Sequence, residues 1–182
     1  MTTYCDYCNT HPEDLFNRTY HDTQYGFPLN DDDLLFERLI LEINQAGLSW
    51  ITILKKADNF RNAYDGFAIE KIATYGEEDT ARLLADAGII RNRLKVNAAI
   101  VNAQKILALK EDHGSFKSWL DANYALSKEE WIKLFKKTFV FTGGEIVNEF
   151  LMSTGYLGGA HEESCPIYKK VASLRPAWMR DR

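Results

Sequence analysis

Apolar residues recur along this chain at the spacing of helices, not of strands. After Asp31-Asp32-Asp33, acids suited to the positive end of a helix dipole, Leu34, Leu35, Phe36, Leu39, Ile40 and Ile43 fall on one arc. Gly47 predicts the end of that helix. Ser49 predicts the cap of a second, running from Trp50 to about Phe60. Further helices are expected at about 67–75, 79–87, 93–111, 115–122 and 128–137, the last opened by a Ser127/Glu130 capping box. One more covers about 144–154 and stops at Gly155. Phe139-Val140-Phe141 is the one short stretch with strand character, and it is weak. There is no internal repeat and no low-complexity segment. The pattern predicts an all-α class, short helices crossing at steep angles in a single compact domain over residues 1–182.

Composition narrows what such a domain does. The 182 residues are 46% hydrophobic and 26% charged, ordinary for a globular protein, while 13% aromatic content is somewhat rich and suits stacking on flat ligands. The net charge of −4 excludes a bulk positive field, so contact with nucleic acid must come from a local patch or from backbone amides. Three cysteines, an odd number, argue against a disulfide framework and for thiols kept reduced as metal ligands. No charged start followed by an apolar stretch reads as a secretory signal, and no apolar run reaches the ~18 residues that span a bilayer. No coiled-coil pattern is visible. The expectation is a cytoplasmic monomer that meets no membrane.

Seven residues are candidate metal ligands: Cys5, Cys8, His11, His21, His113, His161 and Cys165. Two thiolates and two imidazoles make a tetrahedral zinc set, and all-protein ligation leaves no open position, so such a site is structural. His161 and Cys165 are four apart, as on one helical turn. Spacing does not choose between Cys5 and Cys8, and scattered residues without a metal fit the same sequence.

A helix from Thr80 to Ala87 is expected to stop at Gly88. An apolar plug (Ile89, Ile90) and basic Arg91 and Arg93 follow, then a second helix from Leu94 with Ile100, Val101, Ile106 and Leu107 inward. This describes a helix–hairpin–helix over about 80–110, whose amides and second helix N-terminus suit a phosphate. Arg91, Arg93 and Lys95 add cationic character. An ordinary αα-corner with a solvated basic tip has the same residues. Glu42 falls at the border of the apolar arc, either a snorkelling edge residue or a desolvated functional carboxylate, and Trp50 follows just beyond the turn.

Tyr20-His21-Asp22 with Gly26, Leu41-Glu42, Gln45-Ala46-Gly47-Leu48-Ser49-Trp50 and Ile53-Leu54-Lys55-Lys56 together resemble the 3-methyladenine DNA glycosylase I family. Ala87-Gly88-Ile89-Ile90-Arg91 with Arg93 and Lys95, then Phe139-Val140 and His161-x-x-x-Cys165, extend the resemblance over most of the chain. The resemblance implies an all-α helix–hairpin–helix glycosylase that flips 3-methyladenine out of alkylated duplex DNA and hydrolyses its N-glycosidic bond, leaving an abasic site. It implies a structural zinc on Cys5, His21, His161 and Cys165, with Cys8 outside the set. Glu42 is implied as the catalytic and base-recognising carboxylate, Trp50 as the stacking ring, and Tyr20, Tyr7 and Tyr25 as pocket walls. Gly88, Ile90, Arg91, Arg93 and Lys95 are implied to contact DNA. Tyr7 and Tyr25 stand where the family usually has tryptophan, and Phe141-Thr142-Gly143-Gly144 departs from its usual form. Two other readings use parts of the same sequence. One is a non-catalytic hairpin module that binds duplex DNA; the other is a zinc hydrolase with one ligand replaced by water.

Overall fold

A computed structural model of the protein describes residues 3–181. Among them there are eleven α-helices, two short 3₁₀ turns and no strand. The helices are α1 (Tyr4–Thr10), α2 (Leu15–Thr23), α3 (Asp32–Gln45), α4 (Trp50–Ala63), α5 (Ile69–Ile72), α6 (Glu77–Ala85), α7 (Arg93–His113), α8 (Phe116–Ala122), α9 (Lys128–Thr138), α10 (Gly144–Ser153) and α11 (Pro166–Ser173). The all-α expectation holds. Among the described residues no helix is long and apolar enough to cross a membrane.

The core forms around α3. Leu35, Phe36, Leu39, Ile40 and Ile43 are fully buried, and α4, α5, α7, α8 and α10 pack against this helix. The three acids that open it serve three helices. Asp31 caps α3 itself by accepting from the Leu34 amide at 2.9 Å. Asp32 accepts from the amides of Phe116 and Lys117, both at 2.9 Å, at the start of α8. Asp33 accepts from the Ile69 amide at 3.0 Å, at the start of α5. Each carboxylate meets otherwise unsatisfied N–H groups at the positive end of a dipole. The opposite end of α3 is closed by Lys95, whose Nζ donates to the carbonyls of Asn44 and Ala46, each at 2.8 Å. With both ends fixed, α3 holds Glu42 and the turn to α4 in one register.

Three expectations are corrected here. Phe139-Val140-Phe141 is not a strand: the backbone leaves α9 extended, and the amide of Asn102 clamps Val140 by donating to its carbonyl (3.1 Å) and accepting from its N–H (2.9 Å). A side chain thus supplies the pairing that a neighbouring strand would give. The 67–75 helix is only the single turn α5, preceded by a 3₁₀ turn at Asp65–Phe67. The buried face of α7 is Val96, Ala98, Ala99, Asn102, Ala103 and Ile106, so Ile100, Val101 and Leu107 lie at its margin.

Candidate active site and metal centre

The termini meet in a cluster of donors. Cys5 Sγ, His21 Nε2, His161 Nδ1 and Cys165 Sγ all lie within 4.8 Å of one another, and all four residues are buried. The two nitrogens are 3.2 Å apart, and the resolved sulfur–nitrogen separations run from 3.3 to 3.9 Å. A tetrahedron with metal–nitrogen bonds near 2.05 Å and metal–sulfur bonds near 2.3 Å has edges of about 3.3 and 3.6 Å, so the donors already stand at coordination spacing. The outward nitrogens are taken. His21 Nδ1 faces Asp22 Oδ1 at 2.7 Å, and His161 Nε2 faces the Tyr25 carbonyl at 2.7 Å. Both acceptors require a proton on those nitrogens, which leaves the inward lone pairs free for an ion. The cluster therefore fits a divalent metal. Burial pushes the Cys5 thiol up to about 11, a cost that a bound cation reverses by ligating the thiolate. Cys8 is also buried but lies outside the cluster, so of the two thiols it is Cys5 that stands with the other donors. The expected helical turn for His161 and Cys165 is corrected: both lie in the loop before α11, and Cys165 is the residue that caps it.

Gly26 makes this junction possible. Its φ is +81°, and a Cβ there would stand 2.8 Å from Ala160 Cβ and 3.3 Å from the His161 ring. The backbone after Tyr25 thus presses directly on a ligand, and its N–H donates to the Ser153 carbonyl at 2.9 Å.

Next to this junction is a cavity of about 300 Å³ lined by Tyr4, Tyr20, Tyr25, Glu42, Gln45, Trp50 and Glu149. Tyr20 and Trp50 have ring centroids 5.0 Å apart, Tyr20 and Tyr25 5.6 Å, and Tyr4 and Tyr25 5.4 Å. Buried Arg38 donates to the Tyr20 hydroxyl at 3.2 Å and to the Ser153 carbonyl at 3.3 Å, which fixes the Tyr20 ring from behind. Glu42 is 4% exposed, and no donor among the described residues meets its carboxyl. Burial pushes it up to about 8; the charge of Arg38 opposes this and that of Glu149 adds to it. Glu149 is also raised, chiefly by burial. Trp50 Nε1 is buried and meets no acceptor among the described residues. An apolar, ring-walled chamber with an unpaired carboxyl is built for a flat ligand that carries positive charge and N–H donors.

The structure gathers Glu42, Trp50, Tyr20 and Tyr25 around one cavity and leaves Tyr7 outside it. Tyr7 stacks on His11 at 4.3 Å and donates its hydroxyl to Asp14 at 2.9 Å. Tyr4, three residues earlier on α1, takes the pocket position, because Cys5 fixes the rotation of that helix. The sequence assigns no site role to Tyr4, Gln45 or Glu149. The first sits in a helix the periodicity does not reveal, and the last depends on α10 crossing α3.

The α6–α7 connection is a tight turn over residues 86–92. Arg91 and Arg93 are exposed, and Ile89 is buried as the plug. Gly88 does not end α6 through a left-handed backbone; α6 stops at Ala85, and Gly88 instead lets α4 approach, since a Cβ there would lie 3.2 Å from Asn59. Its N–H donates to Asp86 at 2.7 Å, so it offers no free amide. Asn92 Oδ1 likewise accepts from the amides of Leu94 and Lys95. The amides of Ile90 and Arg91 meet no acceptor among the described residues. Lys95 is corrected: only 5% exposed, it is spent on the α3 carbonyls and does not face solvent.

The methyladenine glycosylase family matches residues 9–133 of this chain. DNA-3-methyladenine glycosylase 1 of Escherichia coli (strain K12) is 35% identical over 184 residues, an alignment covering 88% of this chain and 96% of that relative. The solved 3-methyladenine DNA glycosylase I from Staphylococcus aureus, described for its recognition of 3-methyladenine, superposes with a TM-score of 0.81 at 30% identity, covering 91% of this chain and 97% of that one. A tyrosine-to-phenylalanine variant of 3-methyladenine DNA glycosylase I, in complex with 3-methyladenine, superposes with a TM-score of 0.81 at 31% identity, covering 88% and 96%.

Proposed function

This chain belongs to the methyladenine glycosylase family, and from that premise we propose that it excises 3-methyladenine from alkylated duplex DNA, hydrolysing the N-glycosidic bond and leaving an abasic site. The carrying observation is the buried, unpaired Glu42 carboxyl in a chamber of aromatic rings.

Adenine methylated at N3 of the nucleotide is cationic, and the base leaves as a neutral molecule when the bond to C1′ breaks. The leaving group therefore needs little proton assistance. The enzyme has to extrude the nucleotide, hold the cation and admit one water, whose oxygen joins C1′ and whose proton is released. Glu42, ionised by the arriving cation, accepts a hydrogen bond from the base and stabilises its charge. The Trp50 face adds cation–π attraction of about 0.5–2 kcal/mol. Tyr20, held by Arg38, and Tyr25 close the walls. Unmodified adenine is neutral and gains neither charge term, so each 1.4 kcal/mol of difference discriminates about tenfold. Among the described residues no lysine lines the cavity, so base removal without a Schiff base or strand cleavage is the expected outcome.

Cys5, His21, His161 and Cys165 would hold a zinc ion in a structural role, and it would supply a cross-link between the chain ends. The α6–α7 pair is read as a helix–hairpin–helix, with Arg91, Arg93 and the amides of Ile90 and Arg91 facing a DNA phosphate. Lys95 takes no part in this contact, and Gly88 and Ile90 shape the turn. One chain completes the cavity, consistent with a monomer. Three buried cysteines without a disulfide suit the cytoplasm. The test is release of 3-methyladenine from methylated DNA without added metal. Glu42→Ala is expected to abolish most release while the fold persists, and near-normal release by this variant overturns the role of Glu42.

A further inference from the structure

The pocket holds a second acid that the mechanism above does not use. Glu149, on α10, lines the same cavity as Glu42 on α3. Two donors orient it. Tyr25 Oη donates to its Oε2 at 3.2 Å, and Asn148 Nδ2 donates to its Oε1 at 3.3 Å. Tyr25 is in turn anchored to the metal centre, because its carbonyl accepts from His161. The carboxyl is thus aimed, not dangling. No ion pair forms with it among the described residues. The charged groups that act on it are Glu145 on its own helix, which opposes its ionisation, and Lys128 on α9, which favours it; Glu42 lines the same cavity and feels the charges of Arg38 and Glu149. Both acids are held above their ordinary values in the empty pocket, chiefly by burial. Two poorly solvated acids lining one chamber repel when both ionise, and a cation between them lets both ionise without that repulsion.

Resting on the reading of this site as a glycosylase pocket, we propose that Glu149 is a second specificity-determining residue, which with Glu42 forms a two-carboxylate cradle selecting a cationic purine with N–H donors on its edge. Charge alone does not distinguish 3-methyladenine from 7-methylguanine, since both are cationic in DNA. Their edges do. Adenine presents an exocyclic amino donor where guanine presents the O6 acceptor. Ionised carboxylates only accept, so one of them can take the N1–H and 2-amino donors of guanine, but the second then meets an edge that offers only acceptors such as O6, a desolvated mismatch. One carboxylate meets one edge of a flat base; two leave little choice of orientation in which O6 escapes.

Glu149→Gln tests this. Glutamine keeps the size and still accepts from the Tyr25 hydroxyl, but it loses the charge and gains an NH₂ that can donate to O6. The assay measures single-turnover release from synthetic duplexes carrying 3-methyladenine or 7-methylguanine, for wild type, Glu149→Gln and Glu149→Asp, with melting temperatures alongside. Release of 3-methyladenine is expected to fall at least tenfold in Glu149→Gln, and the preference for 3-methyladenine over 7-methylguanine to shrink at least tenfold. Glu149→Asp, which keeps the charge, should retain most of the preference. A Glu149→Gln protein that melts like wild type, releases 3-methyladenine within twofold of wild type and keeps the preference overturns the cradle and leaves Glu149 as an anchor for Tyr25. A Glu149→Asp protein that loses the preference as fully as Glu149→Gln also overturns it. Absence of 3-methyladenine release by wild type refutes the glycosylase reading itself, which keeps the two failures distinct.

Discussion

Replacing Glu42 by glutamine removes one charge from the base pocket with little change of shape, and the outcome follows from its surroundings. A unit cation held about 4 Å from an ionised carboxylate gains roughly 4 kcal/mol at an effective dielectric of 20. The carboxyl is pushed up to about 8 by burial, so at pH 7 it must first release a proton, at about 1.4 kcal/mol. The net loss in Glu42→Gln is therefore about 2–3 kcal/mol, a fall in kcat/KM of roughly a hundredfold. The same proton sets the pH profile. Below about pH 8 the free enzyme carries a neutral Glu42, so wild-type kcat/KM should rise nearly tenfold per unit from pH 6 towards 8 and then level, while the glutamine variant stays flat. Stability moves the other way. A folded value above the unfolded one makes this group's contribution greatest below about pH 4.5 and progressively lost as pH rises to about 8. At pH 7 the glutamine variant should gain up to about 3 kcal/mol, or roughly 6–12 °C in melting temperature. The assays are single-turnover base release from pH 5.5 to 9 and thermal melts over the same range. A pH profile of wild type that matches the glutamine variant refutes the reasoning.

The metal centre should hold close to one zinc per chain by elemental analysis. Chelation should lower the melting temperature well before activity fails at low temperature, whereas a catalytic ion would lose activity with the fold intact. Lys95→Met should cost about 2–3 kcal/mol in a denaturant titration, since two buried α3 carbonyls lose a charged donor, and leave the salt slope of DNA binding unchanged. Arg91→Ala should do the reverse, keeping stability and reducing that slope by about one. Trp50→Ala should slow base release at least tenfold, while Tyr7→Phe, outside the cavity, should release base within twofold of wild type.

The long, strongly periodic helices were legible because their burial is written in their spacing: α3, α4, α7 and α9 lie close to their expected spans. The capping box at Ser127 and Glu130 was equally direct. Helices α1, α2 and α11 were not. They are short and packed around the Cys5–His21–His161–Cys165 cluster, so their stability is tertiary. Lys95 looked like a surface cation because its type usually is one. Only the position of the α3 C-terminus shows that its charge is needed inside. Tyr4 and Tyr7 show the same limit. Both are tyrosines on one helix, and which one meets the ligand depends on where Cys5 must point. Glu42 and Trp50 could be brought together from sequence because one turn separates their helices. Glu149 lies over a hundred positions away, and no local pattern announces its arrival.

The donor cluster draws on positions 5, 21, 161 and 165. A polypeptide emerging from the ribosome therefore carries an incomplete knot until residue 165 is free. Before then Tyr25 has no His161 to hold its carbonyl, and one of the contacts that place its ring is missing. Prematurely ended translation products consequently lack a finished chamber. Order of synthesis thus makes the Tyr25 wall one of the last parts of the cavity to be fixed.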